Sequence, residues 1–193
     1  MKKKLLFLIV ALLTIATGAK ADVAINENIF PDAIFCQWVK DNCDTDHNGM
    51  LDIHEIAMAQ RINIPDMGIA NLKSIEHFTN LSVLLCYKNQ LTSLDVSKNL
   101  GLWMLNCSNN RLTSLDVTHN VGLTALTCNN NQLTSLDVTK NTDLSNLYCH
   151  KNGLTSLDVS KNTALQDLWC FDNKLTSLDV TKNTELLFFL LPK

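Results

Sequence analysis

The string Leu-Thr-Ser-Leu-Asp-Val begins at Leu91, Leu112, Leu133, Leu154 and Leu175, so it recurs with a fixed period of 21. Cys86, Cys107, Cys128, Cys149 and Cys170 keep the same step, and so do Asn89, Asn110, Asn131, Asn152 and Asn173. A period of this length marks one supersecondary unit stacked many times. One unit cannot stand alone. It offers about six apolar side chains, worth roughly 1.5–3 kcal/mol each at best. Ordering its residues costs roughly 1.5 kcal/mol apiece, which is more in total. Stability must come from neighbouring units, so the expected fold is a repeat solenoid.

Within one unit, Leu102-x-x-Leu105-x-Cys107-x-x-Asn110-x-Leu112 runs into Leu112-x-x-Leu115-x-Val117-x-x-Asn120-x-x-Leu123, two short arcs nested in one coil. Leu105 and Cys107 alternate with outward residues, so a short strand turns both into the coil. Asn110 sits where the chain leaves the strand, and its amide is expected to bond backbone groups that the turn leaves unpaired. This arc fits the leucine-rich-repeat template, with Cys in the last strand position. The coil resembles the nested bacterial class of leucine-rich repeats sometimes called the IRREKO type. That resemblance implies a right-handed coil with a parallel β-sheet along one face. Before the regular repeats, Ile62 and Ile64 lie one step ahead of Leu84 and Cys86, a step longer than the others by a single position. Ile69, Leu72, Ile75, Phe78 and Leu81 then recur at every third position, as in one irregular first coil. Strands at Ile64, Cys86, Cys107, Cys128, Cys149, Cys170 and Leu191 give about seven rungs over residues 62–193, the last incomplete.

Residues 1–21 read as a removable export signal. Lys2, Lys3 and Lys4 precede an apolar run from Leu5 to Ala16, and Ala19-Lys20-Ala21 is an A-x-A cleavage site before Asp22. That run is too short to span a bilayer, which takes about 20 residues. No other stretch is long and apolar enough to do so. The predicted setting is periplasm, cell surface or cell exterior. Cleavage takes four lysines and no acid, moving the formal charge from −3 down by four to −7. An acidic exported chain excludes nucleic acid as a partner, since that needs clustered positive charge.

Residues 22–61 carry the one motif with metal chemistry. Asp44-Thr45-Asp46-His47-Asn48-Gly49-Met50-Leu51-Asp52-Ile53-His54-Glu55 fits D-x-[DN]-x-[DN]-G-x₅-E at every position. Calcium is a hard cation that takes six to eight oxygens at about 2.3–2.6 Å. Asp44 and Asp46 offer carboxylates, Asn48 its amide oxygen and Met50 its backbone carbonyl. Asp52 would act directly or through water, and Glu55 would bind through both oxygens. Gly49 allows the sharp turn, and Leu51 faces the core. Pro31 is expected to open a first helix with an apolar stripe of Ile34, Phe35, Trp38 and Val39. Asp52-x-x-Glu55 has capping-box spacing for a second helix over Ile56 to Arg61. The prediction is a short N-terminal helical EF-hand-like cap holding one structural Ca²⁺. A single extracellular hand implies weak affinity, about 10⁻⁴–10⁻³ M.

The order of helical cap and then leucine-rich coils resembles the internalins, secreted bacterial proteins whose cap is related to a truncated EF-hand. The likeness runs from about Asn26 to Leu191. It implies recognition of a protein through the sheet face. Two departures stand out: the loop here is complete rather than truncated, and the coil has a period of 21 with Cys in the strand.

Near-identical repeats make their exceptions informative. Between the strand Leu and the Cys, the outward residues are Leu85, Asn106, Thr127, Tyr148 and Trp169, ending at Leu190. After the Cys come Tyr87, Ser108, Asn129, His150 and Phe171; before the strand Leu come Val83, Met104, Ala125, Asn146, Asp167 and Phe188. Tyr148, His150, Trp169 and Phe171 therefore cluster on two adjacent rungs, with Tyr87 further along the same face. Surface aromatics bury large area and dominate interfaces, so these five are the predicted partner residues. The partner would be a protein, or a glycan stacked on Trp169 and Tyr148. The alternative is a structural spacer, or a fragment of a larger surface protein, with no binding activity of its own. At the carboxyl end, Leu187, Phe188 and Leu190 are expected to be exposed while Phe189 and Leu191 continue inward. That rung invites end-to-end self-association.

The remaining features read as structural. The five ladder cysteines occupy Leu positions and read as small buried apolar groups. Cys36 and Cys43 are too far apart on a helix to bridge, and no C-x-x-C is present. Asp95, Asp116, Asp137, Asp158 and Asp179 read as a solvated face. No nucleophile-elbow, zincin, P-loop or dinucleotide motif occurs, and the chain is not expected to be an enzyme.

Overall fold

The computed structural model describes residues 22–190. The export signal predicted over residues 1–21, and Leu191, lie outside them. In chain order the elements are β1 (Val23–Ala24), α1 (Ala33–Asn42), β2 (Met50–Leu51), α2 (Ile53–Met58) and β3 (Arg61–Asn63). A 3₁₀ turn (Ile75–His77) follows, then β4 (Val83–Leu85), β5 (Met104–Asn106), β6 (Ala125–Thr127), β7 (Asn146–Tyr148), β8 (Asp167–Trp169) and β9 (Phe188–Leu190). Strands β3 to β9 form one seven-stranded sheet in strict sequence order, every pair parallel. The solenoid is thus a leucine-rich-repeat coil with a short helical cap.

The sequence period sets the register without slippage. Ile62, Leu84, Leu105, Leu126, Leu147, Leu168 and Phe189 are Cα partners along the sheet. Each strand is short, but the ladder continues into the cysteine: Cys107 N–H donates to the Thr127 carbonyl at 2.9 Å. One residue in each regular rung then turns left-handed, namely Lys88, Asn109, Asn130, Lys151 and Asp172, at φ of 52–55°. The residue after it closes the turn. Asn110 Nδ2 donates to the carbonyls of Cys107, on its own rung, and Cys86, on the preceding one, both at 3.0 Å, and its Oδ1 accepts from Leu91 N–H at 3.0 Å. The opposite arc repeats the donor half of the device, with Asn120 Nδ2 donating to the carbonyls of Val96 and Asn99. Two asparagines per coil therefore tie each rung to the one before it.

All five ladder cysteines are buried, as are Cys36 and Cys43. Desolvation pushes the Cys107 thiol up to about 12, so it stays protonated and unreactive at neutral pH. The Asp column also acts locally. Asp116 Oδ1 accepts from Thr118 N–H at 2.9 Å and Thr118 O–H at 2.7 Å. These bonds, side chain first, hold its carboxyl below the usual range.

Four expectations need correction. Asp32, not Pro31, opens α1: its Oδ1 accepts from the N–H groups of Ile34 and Phe35. The inward stripe is consequently Phe35, Cys36 and Val39, with Trp38 half-buried and Ile34 exposed. The capping box of Asp52 and Glu55 forms, but because Asp52 is itself the cap, α2 begins at Ile53 rather than Ile56. It ends before Arg61, which belongs to β3 and pairs with Val83. Finally, Phe189 holds an inward register position but is 50% exposed, because it lies on the edge strand of the sheet.

The cap is welded to the coils. The free Oδ2 of Asp32 accepts from Ala70 and Asn71 N–H in the first coil, at 2.8 and 3.2 Å. Ser74 O–H donates to the Ile29 carbonyl, and Phe30 packs on Phe35 and Phe78 at centroid distances of 5.8 and 6.4 Å. One apolar core runs through both parts. Asn110→Ala leaves the Leu91 N–H without its acceptor and takes from the Cys86 and Cys107 carbonyls one of the two asparagine donors each has. It is expected to destabilise the protein by about 2–4 kcal/mol, since an unpaired buried group costs roughly 1–3 and each further lost bond about 0.5–1.5. Thr113→Ala on the exposed surface should change it by less than about 0.5 kcal/mol; urea unfolding of both variants checks the difference.

Candidate functional sites: a carboxylate loop and an aromatic sheet face

Two regions carry side-chain chemistry, one at each end of the molecule. In the cap, the residues from Asp44 to Glu55 curl through two left-handed positions, His47 at φ 57° and Gly49 at φ 79°. The curl brings oxygens of Asp44, Asp46 and Glu55 within 4.8 Å of one another. Among the described residues this is the one such group of three metal-capable side chains. Asp44 and Glu55 are only 5% and 6% exposed. The hydrogen bonds they accept come from neutral donors: Asn48 and Gly49 N–H to Asp44, and Thr45 N–H, Thr45 O–H and Asp52 N–H to Glu55. Two buried carboxylates facing a third without a cation are costly, and the donor set of hard oxygens fits a calcium ion. Asn48 is close by, with its Oδ1 accepting from Met50 N–H at 2.7 Å. Asp52 lies outside the group of three; its Oδ1 caps α2 through His54 and Glu55 N–H.

The loop is steadied from outside by β1: Val23 pairs with Leu51 and Ala24 with Met50, and Ile25 N–H donates to the Gly49 carbonyl at 2.9 Å. Leu51, fully buried, thereby anchors the loop to the core. So short a strand has no periodic signal, and the sequence offered no way to see it.

On the sheet, Tyr148, His150, Trp169 and Phe171 do come together. Tyr148 meets Trp169 edge-on at 5.1 Å and 67°, His150 lies 5.9 Å from Trp169, and His150 stacks on Phe171 at 4.4 Å and 12°. Burial first, and Lys151 second, lower the His150 imidazole below its ordinary value, so it is neutral at pH 7. Trp169 is 38% exposed. Tyr87 is not part of the cluster: it lies three rungs away on the same column, and among the described residues it makes no ring contact. Its separation follows from the repeat itself, with Ser108 and Asn129 filling the column between.

Weighing the rings alone missed their polar neighbours. Asp167 stands on the same face as Trp169, and its Oδ2 accepts from Asn146 Nδ2 at 2.8 Å and Tyr148 O–H at 3.3 Å. Burial first, then the Asp167 charge, raise the Tyr148 phenol above its usual range. Tyr148, Asp167, Trp169, Leu187, Phe188 and Phe189 line an open depression of about 430 Å³. The signal was available, because Asp167 and Phe188 occupy the outward column before the strand Leu. Leu187 and Phe188 are exposed as expected, at 71% and 67%.

Structural comparison places this architecture. The chain is similar to an internalin, inlF, of Listeria monocytogenes, with a TM-score of 0.76 and 20% identity over 90% of this chain and 59% of that one. The fold is that of the leucine-rich-repeat solenoids. A leucine-rich-repeat protein of Leptospira interrogans matches 64% of this chain and 35% of its own at 29% identity, TM-score 0.59. The functional domain of InlJ from Listeria monocytogenes, which includes a cysteine ladder, matches 89% of this chain and 52% of its own at 27% identity, TM-score 0.48. This chain thus spans between about a third and three fifths of these neighbours. No family model matches the sequence, and no curated protein matches it significantly. No helix among the described residues is long and apolar enough to cross a membrane.

Because Leu51 N–H is bonded in the β1 pairing, deleting residues 22–25 should release it. Hydrogen exchange at Leu51 is expected to accelerate at least tenfold in the truncated protein, while amides of β5 to β7 keep their protection. Unchanged exchange at Leu51 would show that the loop holds its shape without β1.

Proposed function

We propose that this chain is an exported, non-enzymatic binding module that takes a protein partner on its sheet face, with one calcium ion ordering the cap. The observation that carries the reading is the contiguous cluster of Tyr148, His150, Trp169 and Phe171 in columns that read Asn106, Thr127, Ser108 and Asn129 on the two preceding rungs. The scaffold residues are committed elsewhere: the Leu, Val and Cys columns to the core, the Asn columns to the turns, and the Asp column to its own caps. What varies from rung to rung is free to recognise. The likeness to an internalin fold supports a protein-binding repeat module. A glycan lying on Trp169 is the second reading, favoured by that ring's exposure. Self-association through β9 would cover the same residues, so a dimer and a partner complex are competing uses of this rung.

In the cap, Asp44, Asp46 and Glu55 would hold the ion, with Asn48, Met50 and Asp52 completing an oxygen shell. Bound there, the ion neutralises three carboxylates, two of them buried. Its effect reaches the coils because α2 runs straight into β3 and Asp32 bridges α1 to the first coil.

A thermal melt of residues 22–193 tests the calcium reading. At a concentration about 100 times Kd the ion adds roughly 2.7 kcal/mol, a rise in Tm of about 5–10 °C for a chain this size. Glu55→Gln should remove that rise, whatever it does to the calcium-free melt, where one oxygen fewer is left to accept from Thr45 and Asp52; equal melts of the parent protein with and without calcium would refute the metal site. For the sheet face, Tyr148→Ala with Trp169→Ala should cut partner capture at least tenfold while leaving the melt within about 3 °C, as expected of surface substitutions. Retained capture by this folded variant would move the binding surface elsewhere.

A further inference from the structure

Building on the partner-binding reading of the sheet face, we propose that the depression beside Trp169 is a cation site that receives an arginine side chain of the protein partner. The juxtaposition behind this is a carboxylate set among aromatic rings. Tyr148, Trp169, Phe188 and Phe189 supply four rings, and Asp167 the only charged side chain among the described residues, around about 430 Å³. That volume lies in the range of sites that enclose a small ligand group.

The chemistry separates the candidate occupants. Ring faces carry negative charge density and attract a cation held over them. Asp167 adds a full negative charge, half-buried. Its Oδ2 is taken by Asn146 and Tyr148, while among the described residues its Oδ1 accepts no hydrogen bond. An anion would meet both the rings and the carboxylate as repulsion. An apolar side chain would strip water from Asp167 and give nothing back, a net cost. A neutral sugar could bond Oδ1 but would leave the carboxylate charge uncompensated. A cation gains from both features at once, and the acidic chain, formally −3, favours its approach.

Among cations, the geometry favours a guanidinium over an ammonium. A flat group can lie on the exposed Trp169 ring while its edge N–H groups reach the open Asp167 oxygen; an ammonium is a point charge without a stacking face. The Asn146 amide and the Tyr148 hydroxyl hold Asp167 in place, so the carboxylate is oriented before the partner arrives.

The test uses residues 22–193 and three hexapeptides of one sequence, carrying at the central position arginine, lysine or citrulline, the neutral isostere of arginine. Binding is followed by the NMR shift of the Trp169 indole N–H, assigned with Trp169→Phe. The expected result is saturable binding of the arginine peptide, with the lysine peptide at least threefold weaker and the citrulline peptide at least tenfold weaker. Asp167→Asn, which keeps shape and removes charge, should weaken the arginine peptide about tenfold. Asp179→Asn, on an exposed carboxylate of another column, should leave it unchanged and so controls for general acidity. Equal binding of citrulline, equal binding of lysine, no effect of Asp167→Asn, or no shift of Trp169 would each overturn the proposal. The two readings fail separately. If Tyr148→Ala with Trp169→Ala abolishes partner capture while Asp167→Asn does not, the sheet face stands and the arginine site falls.

Discussion

The fold depends on how each coil disposes of its backbone as it leaves the sheet. So short a strand pairs few of its own groups, and the turn that follows leaves buried carbonyls facing inward. Asn110 and its equivalents meet that need with one amide: two carbonyls on adjacent rungs accept from Nδ2, and one N–H donates to Oδ1. An apolar residue in the same place would leave the Leu91 N–H unpaired and remove one of the two asparagine donors from each carbonyl. Because one of those carbonyls belongs to the preceding rung, the bond fixes spacing and register together. The small Cys beside it leaves room for this arrangement at full burial, where a Leu would add bulk to the same layer.

That constraint explains why so much of the fold was legible in the sequence. Leu105, Cys107 and Asn110 each have one physical reason to recur, so a single period predicts strand, inward face and turn at once. The carboxylate loop was legible for a similar reason, since Asp44, Asp46, Gly49 and Glu55 have roles that fix their spacing. What escaped reading depends on contacts between distant segments. The pairing of Val23 with Leu51 joins positions far apart in the chain through strands too short for any pattern. Ile34 is turned outward because Phe35, Cys36 and Val39 take the core face, and successive helix positions lie about 100° apart. Phe189 keeps its register yet stays half-exposed, because register determines direction while burial needs a neighbour.

The cap and the coils answer different versions of one problem. A solenoid must cover its open ends, because a rung without a neighbour exposes its core. At the amino end the cover is built from Phe30, Phe35 and Val39, fastened by the two-ended carboxylate of Asp32. Its loop stores three acidic groups in a small space, and β1 holds that loop closed from the outside. The proposed ion would sit in the loop between α1 and α2, so its binding would be felt through α1 at Asp32, which clamps the first coil.

Toward β9, the last strand of the described sheet, the sheet face gathers its rings. The clustering has a physical basis. Rungs in the middle of the stack read Asn106, Ser108, Thr127 and Asn129 outward, side chains that are small and satisfied locally, as when Asn106 accepts from Ser108. Rings of the size of Trp169 need neighbours to rest on, and Tyr148, His150 and Phe171 provide them edge to face and face to face. Such a cluster is rigid before any partner arrives, so little side-chain freedom is lost on binding. A carboxylate fixed within it, rather than on a flexible surface stem, presents its charge in a defined direction. Rigidity of the rings and direction of the charge come from the same repeat that builds the core, one rung supplying Tyr148 and the next supplying Asp167 and Trp169.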